Sequence, residues 1–185
     1  VIVVNTCAFI DSAKEESIGA ILDMAEYKKD KCELLIVTGC LAQRYSEDIE
    51  KELPEVDIML GTADYQKIAS VIDDFYNKGE KNNIVGDANN HVSYDLPRVR
   101  TTPDYTAYLK IADGCDNYCT YCIIPSLRGK YKSRPEESII AEARTLAQNG
   151  VKEIILIAQD TAYYGRDRGD MDALPPLLRS LSEID

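Results

Sequence analysis

The sequence predicts an α/β protein, a parallel sheet with helices packed on it, followed by the opening of a second strand–helix unit. Three observations predict it. Short β-branched runs alternate with segments of helical periodicity through Tyr76, the pattern of parallel strands linked by crossover helices. Residues 77–104 break that alternation with turn-forming pairs and prolines. From Tyr105 the order strand, loop, helix, strand resumes and continues towards the end.

Val1–Val4 is a β-branched run and reads as a buried strand. Ser12 and Glu15 have the spacing of a capping box. Behind them Ile18, Ile21, Leu22 and Ala25 recur at helical spacing. Leu34–Val37 is the next strand, and a helix is expected over Ser46–Leu53, stopped near Pro54. Val56–Leu60 is a third strand. Asp64–Tyr76 is a helix with Ile68, Val71, Ile72 and Phe75 on one face. Asn82-Asn83, Asn89-Asn90, Pro97 and Pro103 mark a joint, in which 83–85 and 91–94 are expected to pair as a short ribbon. Tyr105–Ile111 alternates as a strand. Pro135 suits the first turn of a helix, and Glu136 and Glu137 suit its positive end. Ile139, Ile140, Ala143, Leu146 and Ala147 give that helix its apolar face, and Asn149-Gly150 ends it. Val151–Ala158 reads as an apolar strand, and a further helix is expected near Asp172. The domains are therefore placed at 1–80 and 105–185, with a linker or ribbon at 81–104. A chain that opens on Val1, inside what reads as a core strand, points to a fragment without its natural N-terminus.

Composition bounds the function. Hydrophobic residues make up 45%, enough for a core, and 29% are charged, ordinary for a soluble protein. No apolar run approaches the ~18 residues a membrane span needs, and no secretory signal is visible, so the expected place is the cytoplasm, with no membrane partner. The net charge of −11 is uneven: −10 over 1–97, +4 over 98–134 and −5 over 135–185. Acidic bulk disfavours nucleic acid and favours a basic partner. The single histidine, His91, lies in a polar loop, which makes histidine acid–base chemistry an unpromising reading.

The chemistry lies in the cysteines. There are six, at 7, 32, 40, 115, 119 and 122. Without a secretory signal a disulfide framework is not expected, and metal or redox chemistry is. Cys115, Cys119 and Cys122 have the spacing C-x3-C-x2-C. Three thiolates so spaced can wrap one 4Fe–4S cubane and leave one iron without a protein ligand. A structural zinc site usually wants four protein ligands, and a ferredoxin-type run carries a fourth cysteine; both stay as alternatives. The loop follows a strand and precedes a helix, at the end where parallel barrels keep their chemistry. Cys7 lies three residues beyond Val4 and Cys40 three beyond Val37. Adjacent parallel strands would set these two loops side by side at the carboxyl edge, where open α/β sheets bind ligands. Cys32 precedes its strand and is expected at the opposite edge, as a structural residue.

The three-cysteine loop resembles that of the radical S-adenosylmethionine (SAM) enzymes. Asn5-Thr6-Cys7, Thr38-Gly39-Cys40-Leu41-Ala42-Gln43-Arg44, the run from Gly114 through Cys122 to Pro125, Arg128-Gly129 and Ser133-Arg134 together resemble the methylthiotransferase family, over essentially the whole chain. The resemblance implies an N-terminal α/β domain of that family's type, followed by the first part of a radical SAM partial (βα) barrel. It implies a transferase that uses SAM and two 4Fe–4S clusters, one on Cys115, Cys119 and Cys122, which are also the catalytic residues, and one on Cys7, Cys40 and a third ligand that this chain lacks. In that chemistry the first cluster cleaves SAM, the resulting radical abstracts hydrogen from an unactivated carbon, and the second cluster presents the methylthio group. Tyr121 is implied near the adenine, and Arg128 and Arg134, with Lys130 and Lys132 close by, near a bound anion.

Asn5 through Ser17, and Ile157 through Gly165, resemble the branch that modifies an aspartate of a small-subunit ribosomal protein. Its implied partners are that protein and an electron donor. Two other functions stay open from sequence: the same chemistry on tRNA adenosine, and a non-enzymatic iron–sulfur electron-transfer module. The piece on its own is expected to be inactive.

Overall fold

The structure, a computed structural model, describes residues 1–90 and 99–184. The chain forms two compact units. One holds the described residues up to 90 together with 121–129, and the other holds 99–120 and 130–184.

In the first unit three strands, β1 (Ile2–Thr6), β2 (Leu35–Gly39) and β3 (Ile58–Leu60), form a parallel sheet in the order β1-β2-β3. The register sets Val4 opposite Val37, Val37 opposite Met59 and Thr6 opposite Gly39. β2 is central and buried at all five positions, which is why its sequence runs apolar without alternation. Its side chains still alternate between faces. Leu35 and Val37 pack with Val4, Ile21, Ala25, Leu41 and Ile49, from β1 and the helices α1 (Asp11–Ala25) and α2 (Cys40–Glu52). Leu34 and Ile36 pack with Ile58, Leu60 and Val71, joined by Ile68, Ile72 and Phe75 of α3 (Ile68–Lys78). The expected parallel α/β architecture is present.

Several details differ from the sequence expectation. The capping box does not form: α1 starts at Asp11 with Ile10 as its N-cap and no side-chain cap, and Asp11 pairs with Lys14 at 2.5 Å instead. Of the expected apolar face of α1, Ile21 and Ala25 are buried, whereas Ile18 and Leu22 are exposed. α2 begins at Cys40 rather than near Ser46 and kinks at Tyr45, which hides its first turn from a periodicity argument. In the expected ribbon, Ile84 forms a parallel bridge with Leu60, and the Met59 N–H donates to the Asn83 side-chain oxygen at 2.8 Å. Its second half at 91–94, and His91, lie outside the described residues.

In the second unit β4 (Thr106–Lys110) and β7 (Glu153–Ile157) pair in parallel, with α5 (Glu136–Gln148) between them in sequence. Leu109, Ile111, Ile139, Ala143, Tyr164 and Leu177 form the core, the last from α6 (Leu174–Ser182). Periodicity did not foretell β5 (Ala112–Asp113) and β6 (Lys132–Ser133), an antiparallel pair of two residues each. β7 also departs from the expected apolar strand: Ile154 and Leu156 are half-buried, while Glu153, Ile155 and Ile157 are exposed.

Candidate functional site

At the carboxyl edge of the first sheet, Cys7 and Cys40 are each the residue after the last register pair, Thr6 opposite Gly39. Cys7 is exposed and Cys40 buried, and both thiols are free. Ser17 of α1 fixes the Cys7 backbone from both sides: its Oγ accepts from the Cys7 N–H at 3.0 Å and donates to the Cys7 carbonyl at 3.1 Å. Thr6 donates its hydroxyl to the Thr38 carbonyl at 2.6 Å. Gly39 has φ +98°, and a Cβ there would sit 2.4 Å from the Thr6 carbonyl oxygen. Only glycine suits that conformation and that approach. The glycine of Thr38-Gly39-Cys40 is therefore a consequence of how closely this turn passes Asn5-Thr6-Cys7. Cys32 is buried before β2, its thiol directed to the Leu34 carbonyl at 3.3 Å.

Beside these turns is a cleft of about 370 Å³, lined by Asn5, Thr38, Gly39, Thr62, Tyr65, Ile68 and Arg128. Thr62 follows β3 and is held by Gln43 of α2, whose Oε1 accepts from the Thr62 N–H at 3.0 Å and whose Nε2 donates to the Gly86 carbonyl at 3.0 Å. Arg128 ends α4 (Ile124–Arg128), the short helix after the third cysteine of the loop. Ile123 and Leu127 pack into the core of the first unit, and the Thr62 hydroxyl donates to the Leu127 carbonyl at 2.6 Å. Gly129, at φ +73°, brings the backbone to where a Cβ would stand 2.7 Å from the Ala88 carbonyl oxygen. Thr62 was not singled out from sequence, and Gln43 only as part of the family-like run after Cys40; Gly61-Thr62 directly behind a strand was the available signal.

The first two cysteines of the loop belong to the second unit. Cys115 is buried and Cys119 exposed, and Cys122, in the first unit, is half-buried; all three thiols are free. Tyr118 turns the chain between the first two cysteines with a left-handed backbone, φ 46°, a conformation rare outside glycine. Asp116 accepts from the Tyr131 N–H at 3.1 Å, the Asn117 amide donates to the Asp160 carboxylate at 3.1 Å, and the Tyr131 hydroxyl donates to the Asp160 carbonyl at 2.8 Å. The loop is thus tied to the exit of β7. Tyr121 is 90% exposed. Among the described residues no three or more His, Cys, Asp or Glu side chains are gathered as a metal centre would need. The donor set itself suits iron: three unpaired thiols in eight residues, the composition a cubane requires.

Arg134 has a different setting from the one the resemblance implied. It is 3% exposed. Its guanidinium donates to the Ser138 hydroxyl at 2.9 Å and the Ser138 carbonyl at 3.1 Å, and forms an ion pair with Glu142. Its carbonyl accepts from the Tyr164 hydroxyl at 3.0 Å. Burial pushes the Tyr164 phenol up, against the opposing pull of Arg168. This geometry suits an arginine that positions the chain behind the loop more than one that touches a cofactor. Lys132 is exposed.

Comparison with known proteins finds two family matches along the chain. Residues 1–61 match the family described as "Uncharacterized protein family UPF0004", and residues 109–176 match the Radical SAM superfamily. The chain is 54% identical, over its whole length, to the ribosomal protein uS12 methylthiotransferase RimO of Geobacter sulfurreducens, covering 42% of that protein. It is 54% identical to the protein of the same name from Clostridium tetani, covering 41% of it, and 52% identical to that of Clostridium novyi, again covering 41%. The chain therefore spans less than half the length of the curated relatives it matches.

Proposed function

We infer that this chain, which belongs to the RimO-type radical SAM methylthiotransferases, is part of an enzyme that attaches a methylthio group to the β-carbon of an aspartate in the small-subunit ribosomal protein uS12. The observation that carries this is the C-x3-C-x2-C loop of Cys115, Cys119 and Cys122 inside the stretch similar to the Radical SAM superfamily. The β C–H bond of an aspartate is too strong for acid–base removal at neutral pH, so the reaction calls for one-electron chemistry.

The proposal gives Cys115, Cys119 and Cys122 to one 4Fe–4S cluster, and Cys7 and Cys40 to a second. The first, when bound with SAM, supplies the electron that cleaves the cofactor's sulfonium bond. The chain's own residues shape the surroundings. Asp116 and Asn117 fasten the cysteine loop through Tyr131 and Asp160. Ser17 fixes the Cys7 backbone. Tyr121 is assigned beside the adenine. Arg128 is assigned to an anion, the carboxylate of cofactor or substrate, and Arg134 is kept as a group that positions its loop. An electron donor and a division into 1–80, 81–104 and 105–185 go with the proposal. So does a cytoplasmic place; no helix among the described residues is long and apolar enough to cross a membrane.

The test is mass spectrometry of ribosomal protein and of tRNA after incubation with the full-length reconstituted enzyme, SAM and a reductant. Methylthiolation of a ribosomal-protein aspartate is expected. Modification of tRNA adenosine alone, or of neither, would overturn the substrate assignment.

A further inference from the structure

We propose that the groove between α1 and α2 is a docking site for a lysine- or arginine-rich amphipathic helix of a partner protein. The inference stands apart from the proposed reaction. The described lining of the groove runs from Asp11 to Leu53 within the first unit and includes no cysteine.

Uncovered apolar surface is the first ground. α1 carries an apolar stripe of Ile18, Ile21, Leu22 and Ala25, but the fold covers only half of it. Ile21 and Ala25 are buried, whereas Ile18 and Leu22 are 40% and 46% exposed. Scattered exposed apolar residues are ordinary. Ile18, however, faces a groove of about 550 Å³ whose other apolar lining is Leu41, Tyr45, Ile49 and Leu53. Leu41 and Ile49 are buried behind it, and Tyr45 and Leu53 are half-buried. Tyr45 is also where α2 kinks, with a backbone at φ −129° and ψ 34°. The groove therefore opens where the regular packing of α2 is interrupted. An apolar channel between two helices is the receptor side of helix-in-groove recognition, which takes anchors at i, i+3 or i+4, and i+7.

Charge is the second ground, and it selects the occupant. The rim carries four carboxylates, on Asp11, Glu15, Asp48 and Glu52, against one ammonium, on Lys14. Lys14 is engaged within the fold: it pairs with Asp11 at 2.5 Å and lies 5.8 Å from the centre of the Tyr45 ring. Arg44, which covers the same ring at 4.9 Å, donates to the Ala8 carbonyl at 3.2 Å. Glu52 pairs with Lys51 at 3.2 Å, in a mostly exposed pair that water screens. Glu15 on α1 and Asp48 on α2 are exposed and form no ion pair among the described residues. Each wall thus presents an unanswered carboxylate, inside a region, residues 1–97, of net charge −10.

An apolar floor under an acidic rim fits a helix with aliphatic side chains on one face and cations flanking them. The apolar contacts supply affinity, and the charges supply steering and register. The same carboxylates disfavour RNA, an anionic membrane surface and a second copy of this acidic unit.

The test uses the full-length protein and fluorescence anisotropy of three labelled peptides. The probe is acetyl-KLKKLLKKLLKKLK-amide, whose leucines share one helix face. A second peptide has glutamate for every lysine, and a third has the probe's composition with its leucines spread around the helix. The probe should bind, the spread-leucine peptide should bind at least about tenfold more weakly, and the glutamate peptide should not bind. Ile18→Ser should weaken the probe about tenfold, as the loss of one buried aliphatic side chain implies. Glu15→Gln with Asp48→Asn should weaken it about fivefold, as two exposed ion pairs allow. That pair of exposed positions keeps the test open should Ile18→Ser unfold, which thermal melting reveals. Asp73→Asn with Glu80→Gln makes the same change of charge in and just after α3, which packs on the other face of the sheet, and should leave the affinity unchanged. No binding of the probe, equal binding of the spread-leucine peptide, equal losses in the two charge variants, or wild-type affinity in the folded groove variants would each overturn the proposal. So would self-association, or binding of RNA or of phosphatidylserine vesicles, that Ile18→Ser abolishes, since the groove would then belong to another occupant.

Discussion

The two edges of the first sheet are built from opposite materials. At the amino edge, Asp57 precedes β3 with a side chain 2% exposed. Lys28 and Lys81 donate to its two oxygens at 2.5 and 2.6 Å, and the Leu35 N–H donates to it at 2.8 Å. The buried carboxylate there is answered within the fold. At the carboxyl edge the same three strands end in a glycine turn, two thiols outside any disulfide and a cleft whose described lining is mainly hydroxyls, with the Asn5 amide and Arg128. The contrast follows the usual division of labour in open parallel sheets, with ligands at the carboxyl ends. Arg134 extends it to the second unit. It is an arginine inside a motif-like pair, yet its donors go to Ser138 and Glu142. A motif residue whose hydrogen bonds are satisfied by the fold is better read as scaffold.

Substitutions at the two edges should separate stability from iron binding. The largest effect is expected for Gly39→Ala, which forces a Cβ against the Thr6 carbonyl oxygen in a conformation nearly reserved for glycine. It should cost about 3 kcal/mol in urea unfolding and lower the iron bound by the full-length protein after reconstitution. A stable Gly39→Ala protein with full iron would break the account of the carboxyl edge. Asp57→Asn should cost about 2 kcal/mol, from lost charge-assisted hydrogen bonds, and leave iron content unchanged. Lost iron in that variant would erase the distinction between the edges.

The pH dependence sharpens the same comparison. Burial pushes the Asp57 carboxyl up, but Lys28, Lys81 and the Leu35 N–H together hold it below its ordinary value. A carboxyl lowered in the folded state stabilises the fold above its unfolded pKa of about 3.9, and that contribution is lost as pH falls through the folded value. The stability gap between wild type and Asp57→Asn should therefore be constant near neutral pH and close below about pH 4; a gap that persisted in acid would mean the lysines are not its source. Lys81→Ala should have the smallest effect, under about 1 kcal/mol, because Lys81 is half exposed and screened by water.

Much of this was legible in the sequence because strands and helices repeat. The run Leu34–Val37 and the spacing of Ile68, Val71, Ile72 and Phe75 reported burial that the structure contains. What escaped has no period. β5 and β6 are two residues each and pair only through the chain's return at 132. The start of α2 at Cys40 depends on the conformation of Gly39, and the kink at Tyr45 breaks the spacing between its buried first turn, Cys40-Leu41-Ala42, and Ile49. A capping box at Ser12 was plausible from spacing, but the helix starts at Asp11, which pairs with Lys14. In the candidate site, the cysteines stood out by residue type. The cleft did not, because Asn5, Thr62 and Arg128 are far apart in sequence and meet only when the strands end together.

The central claim is that Cys115, Cys119 and Cys122 hold the cluster that cleaves SAM. It is tested most directly by measuring iron content and SAM cleavage on the same anaerobically reconstituted samples of the full-length protein and of its Cys115→Ala, Cys119→Ala, Cys122→Ala variant. The variant should retain about half the wild-type iron, on a second cluster of equal size, and should cleave no SAM. SAM cleavage at the wild-type rate in that variant would contradict the assignment.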